Sequence, residues 1–256
     1  MLLVLVIIVL AGIYIFTQQK EKEMVYSDQQ VARDNTTELQ KAADSNTAKT
    51  TNFAKDQDCT TPIKFTHQFT DIKAIDSIIP PVFRNSKGTM PTMLINIQGK
   101  VPLYMPTSGK FVQGSYHTEQ GAEFYMWEID VGCGITVVFD HVTEPIEKIR
   151  SLFPKTPRSD TRTDFFDRSL EMEAGELVGY TTGSVNAHNW NFAVYDASEK
   201  NYLWETGEFA NVPKYFTQVC PFRYYESSIA QAYEERFILS FNDIIVEKNL
   251  CENKSS

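Results

Sequence analysis

Side chains able to attack a substrate, move a proton or hold a metal are scarce in this chain of 256 residues, which has four histidines and four cysteines. The cysteines are Cys59, Cys133, Cys220 and Cys251, and none forms a C-x-x-C pair, so a zinc ribbon has no ligands. No serine or cysteine stands in a recognisable nucleophile setting, and neither a G-x-S-x-G elbow nor a phosphate-cradling glycine loop occurs. Glu128 and Asp130 share one face of a strand, a placement that glycosidases use for paired carboxylates. On a half-buried strand the same pair reads as the solvated side. Tyr202, Trp204, Tyr215, Tyr224 and Tyr225 could stack on a sugar, although aromatics in a Phe- and Tyr-rich β domain mostly build core.

The elements that would position such groups follow from composition and pattern. Aromatic residues make up 12% of the chain, with Phe and Tyr well ahead of Trp, which favours pleated surfaces over a helical bundle. A net charge of −9 repels a phosphate backbone, so nucleic acid is not an expected partner.

The first segment, from Met1 to Phe16, carries no charge, and as a helix it is about 24 Å long. Val9-Leu10-Ala11 offers a small-residue cleavage site, but the apolar run continues through Ile13, Tyr14, Ile15 and Phe16, so an uncleaved membrane anchor over 1–17 is preferred to a signal peptide. Residues 18–58 are poor in large apolar side chains and read as a disordered tether. Asn35-Thr36-Thr37 and Asn253-Lys254-Ser255 match the glycosylation acceptor pattern. An even cysteine count behind an export segment permits disulfides in an extracytoplasmic domain. Cys220 and Cys251 bracket a C-terminal segment and would pair, leaving Cys59 with Cys133, while Cys133 as a buried free thiol is an equal alternative.

Residues 59–100 carry Pro62, Pro80, Pro81 and Pro91 and read as an irregular entry segment with a short helix over 71–79. Strand signals follow at 101–104, 110–116, 122–131, 135–142, 177–182 and 190–195. Tyr125, Trp127, Ile129 and Val131 alternate, a Gly132-Cys133-Gly134 turn follows, and Ile135, Val137 and Phe139 resume the same face, with His141 expected on that inner face too. A charged, Pro-containing stretch near 143–169 reads as a loop insertion with a short helix at 144–152. Beyond 219, Ile229, Tyr233, Phe237 and Phe241 recur at helical spacing, predicting a C-terminal helix over 226–249 in a helical extension, 219–256.

The β domain at 101–218 resembles, over about 101–196 and interrupted by the insertion, the lysostaphin and LytM type of peptidoglycan endopeptidase domain. Val101-Pro102-Leu103-Tyr104-Met105-Pro106 leading to Gly109-Lys110-Phe111 is similar to that family's V-P-V-Y-A-P strand and G-x-V turn. Val138-Phe139-Asp140-His141-Val142 resembles its Y-x-H-L strand end, Met172 to Gly183 its V-x-x-G-E-x-I-G-x-x-G stretch, and Asn189-Trp190-Asn191-Phe192-Ala193-Val194 its H-L-H-F-E-V strand. The resemblance implies a mainly β fold, a duplicated hybrid motif forming a lipoyl-like barrel or sandwich, here with an N-terminal transmembrane helix and a C-terminal helix.

The resemblance also implies where a zinc would sit, and the residues there have changed. In the family the metal is held by a His and an Asp at H-x-x-x-D and by the second His of H-x-H, whose first His helps to activate water. Both H-x-H positions are asparagine here, Asn189 and Asn191, and a neutral amide oxygen is a poor zinc ligand. His188 cannot substitute, because neighbouring strand residues point to opposite faces. His67 and Asp71 have the H-x-x-x-D spacing, but they lie far ahead of the Val101-Pro102 strand and read as a chance match at a helix start. The expected protein is therefore a membrane-anchored, extracytoplasmic pseudopeptidase of the cell envelope, with no catalytic residues, metal or other cofactor. His141, Asn189 and Asn191 would line a groove for a wall polymer, glycan or peptide, or for an envelope protein. The alternatives are a zinc metallopeptidase with an unorthodox set of His67, Asp71, His141 and His188, and a purely structural envelope subunit.

Overall fold

The computed structural model describes residues 59–252. The expected anchor, the tether and both glycosylation patterns lie outside the described residues, among which no helix is long and apolar enough to cross a membrane.

Fifteen strands and a few short helical turns make up the domain. In chain order the strands begin with β1 (Ile75–Ile79), β2 (Phe83–Asn85), β3 (Gly88–Met90), β4 (Leu94–Ile97) and β5 (Val101–Tyr104). Two long strands, β6 (Gly109–Glu119) and β7 (Ala122–Gly132), precede β8 (Ile135–Val142), β9 (Glu144–Pro145) and β10 (Asp164–Met172). The last are β11 (Leu177–Thr181), β12 (Asn189–Asp196), β13 (Gln218–Val219), β14 (Ser240–Phe241) and β15 (Ile244–Ile245). The main sheet runs β1-β4-β12-β8-β7-β6-β10, with β13 also paired to β12, and two smaller sheets run β5-β11-β9 and β14-β15-β2-β3.

Period-two alternation places the core. Trp127 and Ile129 of β7, Val137 and Phe139 of β8 and Trp190, Phe192 and Val194 of β12 all lie fully buried on one face of the main sheet. Val101, Leu103 and Val178 of the β5-β11-β9 sheet join the same core, as does Ile149 from the short helix Glu147–Arg150. Phe69 stacks between Phe192 at 4.2 Å and Tyr233 at 4.6 Å, and Phe222 stacks on Tyr233 at 4.9 Å. Each such ring taken from water contributes about 1.5–3 kcal/mol, so these contacts hold the terminal segments onto the sheet.

Four expectations need correction. The entry segment is not irregular: after a 3-10 turn at Ile72–Ala74, β1 and β4 extend the main sheet, because Ile75, Ile78, Ile79, Ile95 and Ile97 find a core to bury in. The insertion contains the expected short helix, but its end is β10, which pairs with β6 along the sheet margin. The C-terminal helix stops at Glu234. Beyond it Phe237 packs on Phe222 and Ile238 bonds to Ile78, after which β14 and β15 form a hairpin around a left-handed Asn242. The cysteines pair as Cys59–Cys133 and Cys220–Cys251, with Cα separations of 5.6 and 4.8 Å, which removes the free-thiol alternative for Cys133. Such bridges persist in oxidising compartments.

The fourth correction concerns His141. Two residues, Asp140 and His141, oppose the single Met126 of β7, since Tyr125 pairs with Val142 and Trp127 with Phe139. His141 has φ of 61°, so this is a bulge. The extra residue returns Val142 to the buried face and sends the imidazole to the outer one.

Candidate functional site

The outer face of the main sheet carries the polar groups. On β12, Asn189 and Asn191 alternate with the buried Trp190 and Phe192, as the sequence requires. On β8 the bulge presents Asp140 and His141 together, and on β6 the register sets Ser115 and His117 beside Met126 and Phe124. The β6–β7 hairpin turns tightly through Gln120 and Gly121, both left-handed, which brings Glu119 alongside.

His141 sits between two carboxylates. Its Nδ1 is 3.4 Å from Asp140 Oδ2, and its Nε2 is 3.3 Å from Glu119 Oε2. Asp140 is the hub: Oδ1 accepts from the His141 backbone N–H at 2.7 Å, and Oδ2 accepts from Asn191 Nδ2 at 3.2 Å. The ring of Phe124 lies 5.1 Å from that of His141 and 6.3 Å from that of His117, whose Nδ1 is 3.0 Å from Ser115 Oγ. Burial opposes charge on His141, but the neighbouring carboxylates outweigh it and hold its pKa above the ordinary histidine value. Burial likewise pushes Asp140 up, and the bonds and charge of His141 with the Asn191 amide outweigh it, leaving the carboxyl below its usual range. For His117 burial prevails and its pKa falls.

Asn189 is occupied differently, its Oδ1 accepting from Ser184 Oγ at 2.9 Å. Asn191 Oδ1 is buried and bonds to no protein group. The neighbouring outer face is roofed by the 3-10 turn Pro213–Thr217: Tyr215 packs on Val138, Ala193 and Tyr195, and Lys214 pairs with Glu128.

Zinc does not fit these residues. Its ligands must be unprotonated nitrogen, thiolate or carboxylate. Both ring nitrogens of His141 already face carboxylates that favour its protonated form, and the two asparagines offer amides. The unorthodox set is not assembled. His67 bonds Thr66 Oγ1 through Nδ1 at 3.0 Å and lies against Gly175, where an added Cβ would come within 2.7 Å of the ring. Asp71 caps the turn through the Lys73 N–H at 3.0 Å, and His188 occupies a left-handed position in the turn before β12. Among the described residues no group of three or more His, Cys, Asp or Glu is gathered to hold a metal.

The other sequence candidates are dispersed. Glu128 is buried with Lys214 rather than solvated, while Asp130 Oδ1 accepts from Gly132 N–H at 2.8 Å. Tyr224 and Tyr225 belong to the core, Trp204 is exposed against Phe216, and Tyr215 is on the outer face, so these aromatics form no single platform. Sequence reading missed Asp140, Glu119, His117 and Phe124 as members of the polar cluster. The alternation Ser115, His117, Glu119 along β6 carried a signal for the histidine and the glutamate, and Asp140 adjoins His141.

No protein-family profile matches the sequence, and no curated protein matches it. Among solved structures, one described as the SpoIIQ-SpoIIIAH pore forming complex aligns with a TM-score of 0.38 at 9% identity, over 67% of this chain and 99% of that one. Csd3 of Helicobacter pylori aligns at 0.32 with 14% identity, over 65% of this chain and 33% of its own. Lysostaphin, one of the two proteins for which the resembled family is described above, aligns at 0.31 with 13% identity, over 62% and 49%. Likeness at these scores leaves the functional reading resting on the chain's own residues.

Proposed function

We propose that this domain is a non-catalytic LytM-like module, held outside the cytoplasm by the apolar segment 1–17, that binds or scaffolds other components of the cell envelope. The observation that carries the reading is the neutralised polar cluster on the outer face, in which a carboxylate faces each ring nitrogen of His141 and amides stand at both positions of the resembled H-x-H motif. A water-activating base must accept a proton, and a zinc ligand must have lost one. Asp140 and Glu119 favour the opposite state. The surface proposed to take a ligand is a set of fixed hydrogen-bonding groups, His141, Asn189 and Asn191, suited to the polar groups of a peptide or glycan. Two disulfides fit an oxidising compartment, as an envelope role requires.

The test is zinc titration of the full-length chain, purified in mild detergent without chelators, while thermal stability is followed. The expected result is neither bound zinc nor a stability gain. Near-stoichiometric zinc with a rise in Tm would overturn the reading and lead directly to peptide-hydrolysis assays. In a second measurement, alanine at His141, Asn189 and Asn191 together should weaken capture of wall fragments.

A further inference from the structure

The C-terminal segment borders an open cavity of about 830 Å³ whose lining includes none of His141, Asn189 and Asn191. Its wall includes Asn201, Gln218, Arg223, Glu234, Lys248 and the Cys220–Cys251 disulfide. The strap that bears Lys248 and Cys251 is held by the disulfide and by the Leu250 N–H donating to the Pro81 carbonyl at 2.8 Å. The volume falls within the roughly 300–1,000 Å³ of small-ligand sites.

Among the lining side chains, the Gln218 amide and the Tyr225 hydroxyl are buried without a hydrogen-bond partner. Gln218 is fully buried, and neither its amide oxygen nor its amide nitrogen has a hydrogen bond. A buried amide left in this way costs stability, so its retention asks for a reason. Glu234 is partly buried, and burial alone pushes its carboxyl up, with no cation acting on it. Each cation of the wall has a contact of its own. Arg223 bonds Glu199 at 2.9 Å and faces Asp196 at 3.4 Å, Lys200 lies 3.9 Å above the Trp204 ring, and Lys248 lies 4.3 Å above that of Tyr202. Lys200 and Lys248 keep their charge in these contacts, but Glu199, Glu234 and Glu252 share the wall with them and with Arg223, so it holds no excess of positive charge for an anion, and a hydrocarbon would leave the Gln218 amide unpaired. A peptide group presents one donor and one acceptor side by side, the complement of a carboxamide.

We propose that this cavity binds a short peptide carrying an amino group, with the Gln218 carboxamide pairing to a ligand peptide group and the Glu234 carboxylate taking the ammonium. The test is calorimetric titration of the full-length chain in mild detergent with N-acetyl-glycyl-lysine methylamide, beside its norleucine counterpart and N-acetylglucosamine, with Tm recorded for each variant. The lysine probe should bind saturably and more tightly than the norleucine probe. Gln218→Leu should weaken it at least tenfold while leaving Tm equal or higher, because an unpaired amide has been removed. Glu234→Gln, at a half-exposed helix position, should reduce the lysine probe to the level of the norleucine probe, and it reads the site even where Gln218→Leu does not fold. Absence of peptide binding, preference for the sugar, unchanged affinity in both variants, or loss in His141→Ala rather than Gln218→Leu would each overturn the assignment. A fall in Tm of a folded Gln218→Leu would do so too, since it would show the amide already satisfied within the fold.

Discussion

Along β12, Trp190, Phe192 and Val194 face a core from which water is excluded, while Asn189 and Asn191, one residue out of step with them, meet Ser184 and Asp140. One strand thus serves two surfaces with different physics. The inner one is held by many non-directional contacts, so its stability scales with the area buried. The outer one depends on a few directional bonds centred on Asp140, each sensitive to geometry and to pH. A substitution should therefore cost most on the inner face and change pH dependence only on the outer.

The largest effect should come from Phe192→Ala, which removes a fully buried ring stacked on Phe69; about 3–5 kcal/mol of stability should be lost in denaturant unfolding. A loss below about 1 kcal/mol would break the contrast between faces. Asp140→Ala should cost less, about 2 kcal/mol near neutral pH, because it leaves the His141 ring with one carboxylate and the Asn191 amide nitrogen without its acceptor. The smallest and most specific effect is in the pH profile. The folded pKa of His141 lies above its unfolded value, so its ion pairs contribute fully below about pH 6.5 and fade as pH rises through the folded value. His117, lowered by burial, acts in the opposite sense and takes stability away as pH falls below about 6.5. Chemical unfolding between pH 5 and 9 should show His141→Gln losing the alkaline decline while keeping the acid-side loss. Superimposable profiles for the variant and the wild type would remove the electrostatic account of this face.

Much of the inner face was legible because a strand with one side against a core announces itself in period-two alternation, as from Tyr125 to Val131 and from Trp190 to Val194. The same alternation sets Asn189 and Asn191 on the opposite side from Trp190 and Phe192. It failed at His141 because a bulge adds a residue without altering composition, and local spacing cannot register a partner strand that skips one position. It failed again over 226–249, where residues at helical spacing fold as a short helix followed by a hairpin packed on β2. Short apolar segments take the conformation their tertiary neighbours stabilise.

The residue types themselves determined that amides stand where the resembled motif has two imidazoles, and that the overall charge is negative. They also fixed which side chains must be buried. The tertiary structure alone decided which polar groups meet. Glu119 reaches His141 across a hairpin and a bulge, Lys214 is carried onto Glu128 by a distant turn, and Gln218 comes to line a cavity bordered by a disulfide to Cys251. Burial preference is a property of each side chain and can be read from the chain, whereas a directional contact between remote residues exists only once the strands have chosen their register.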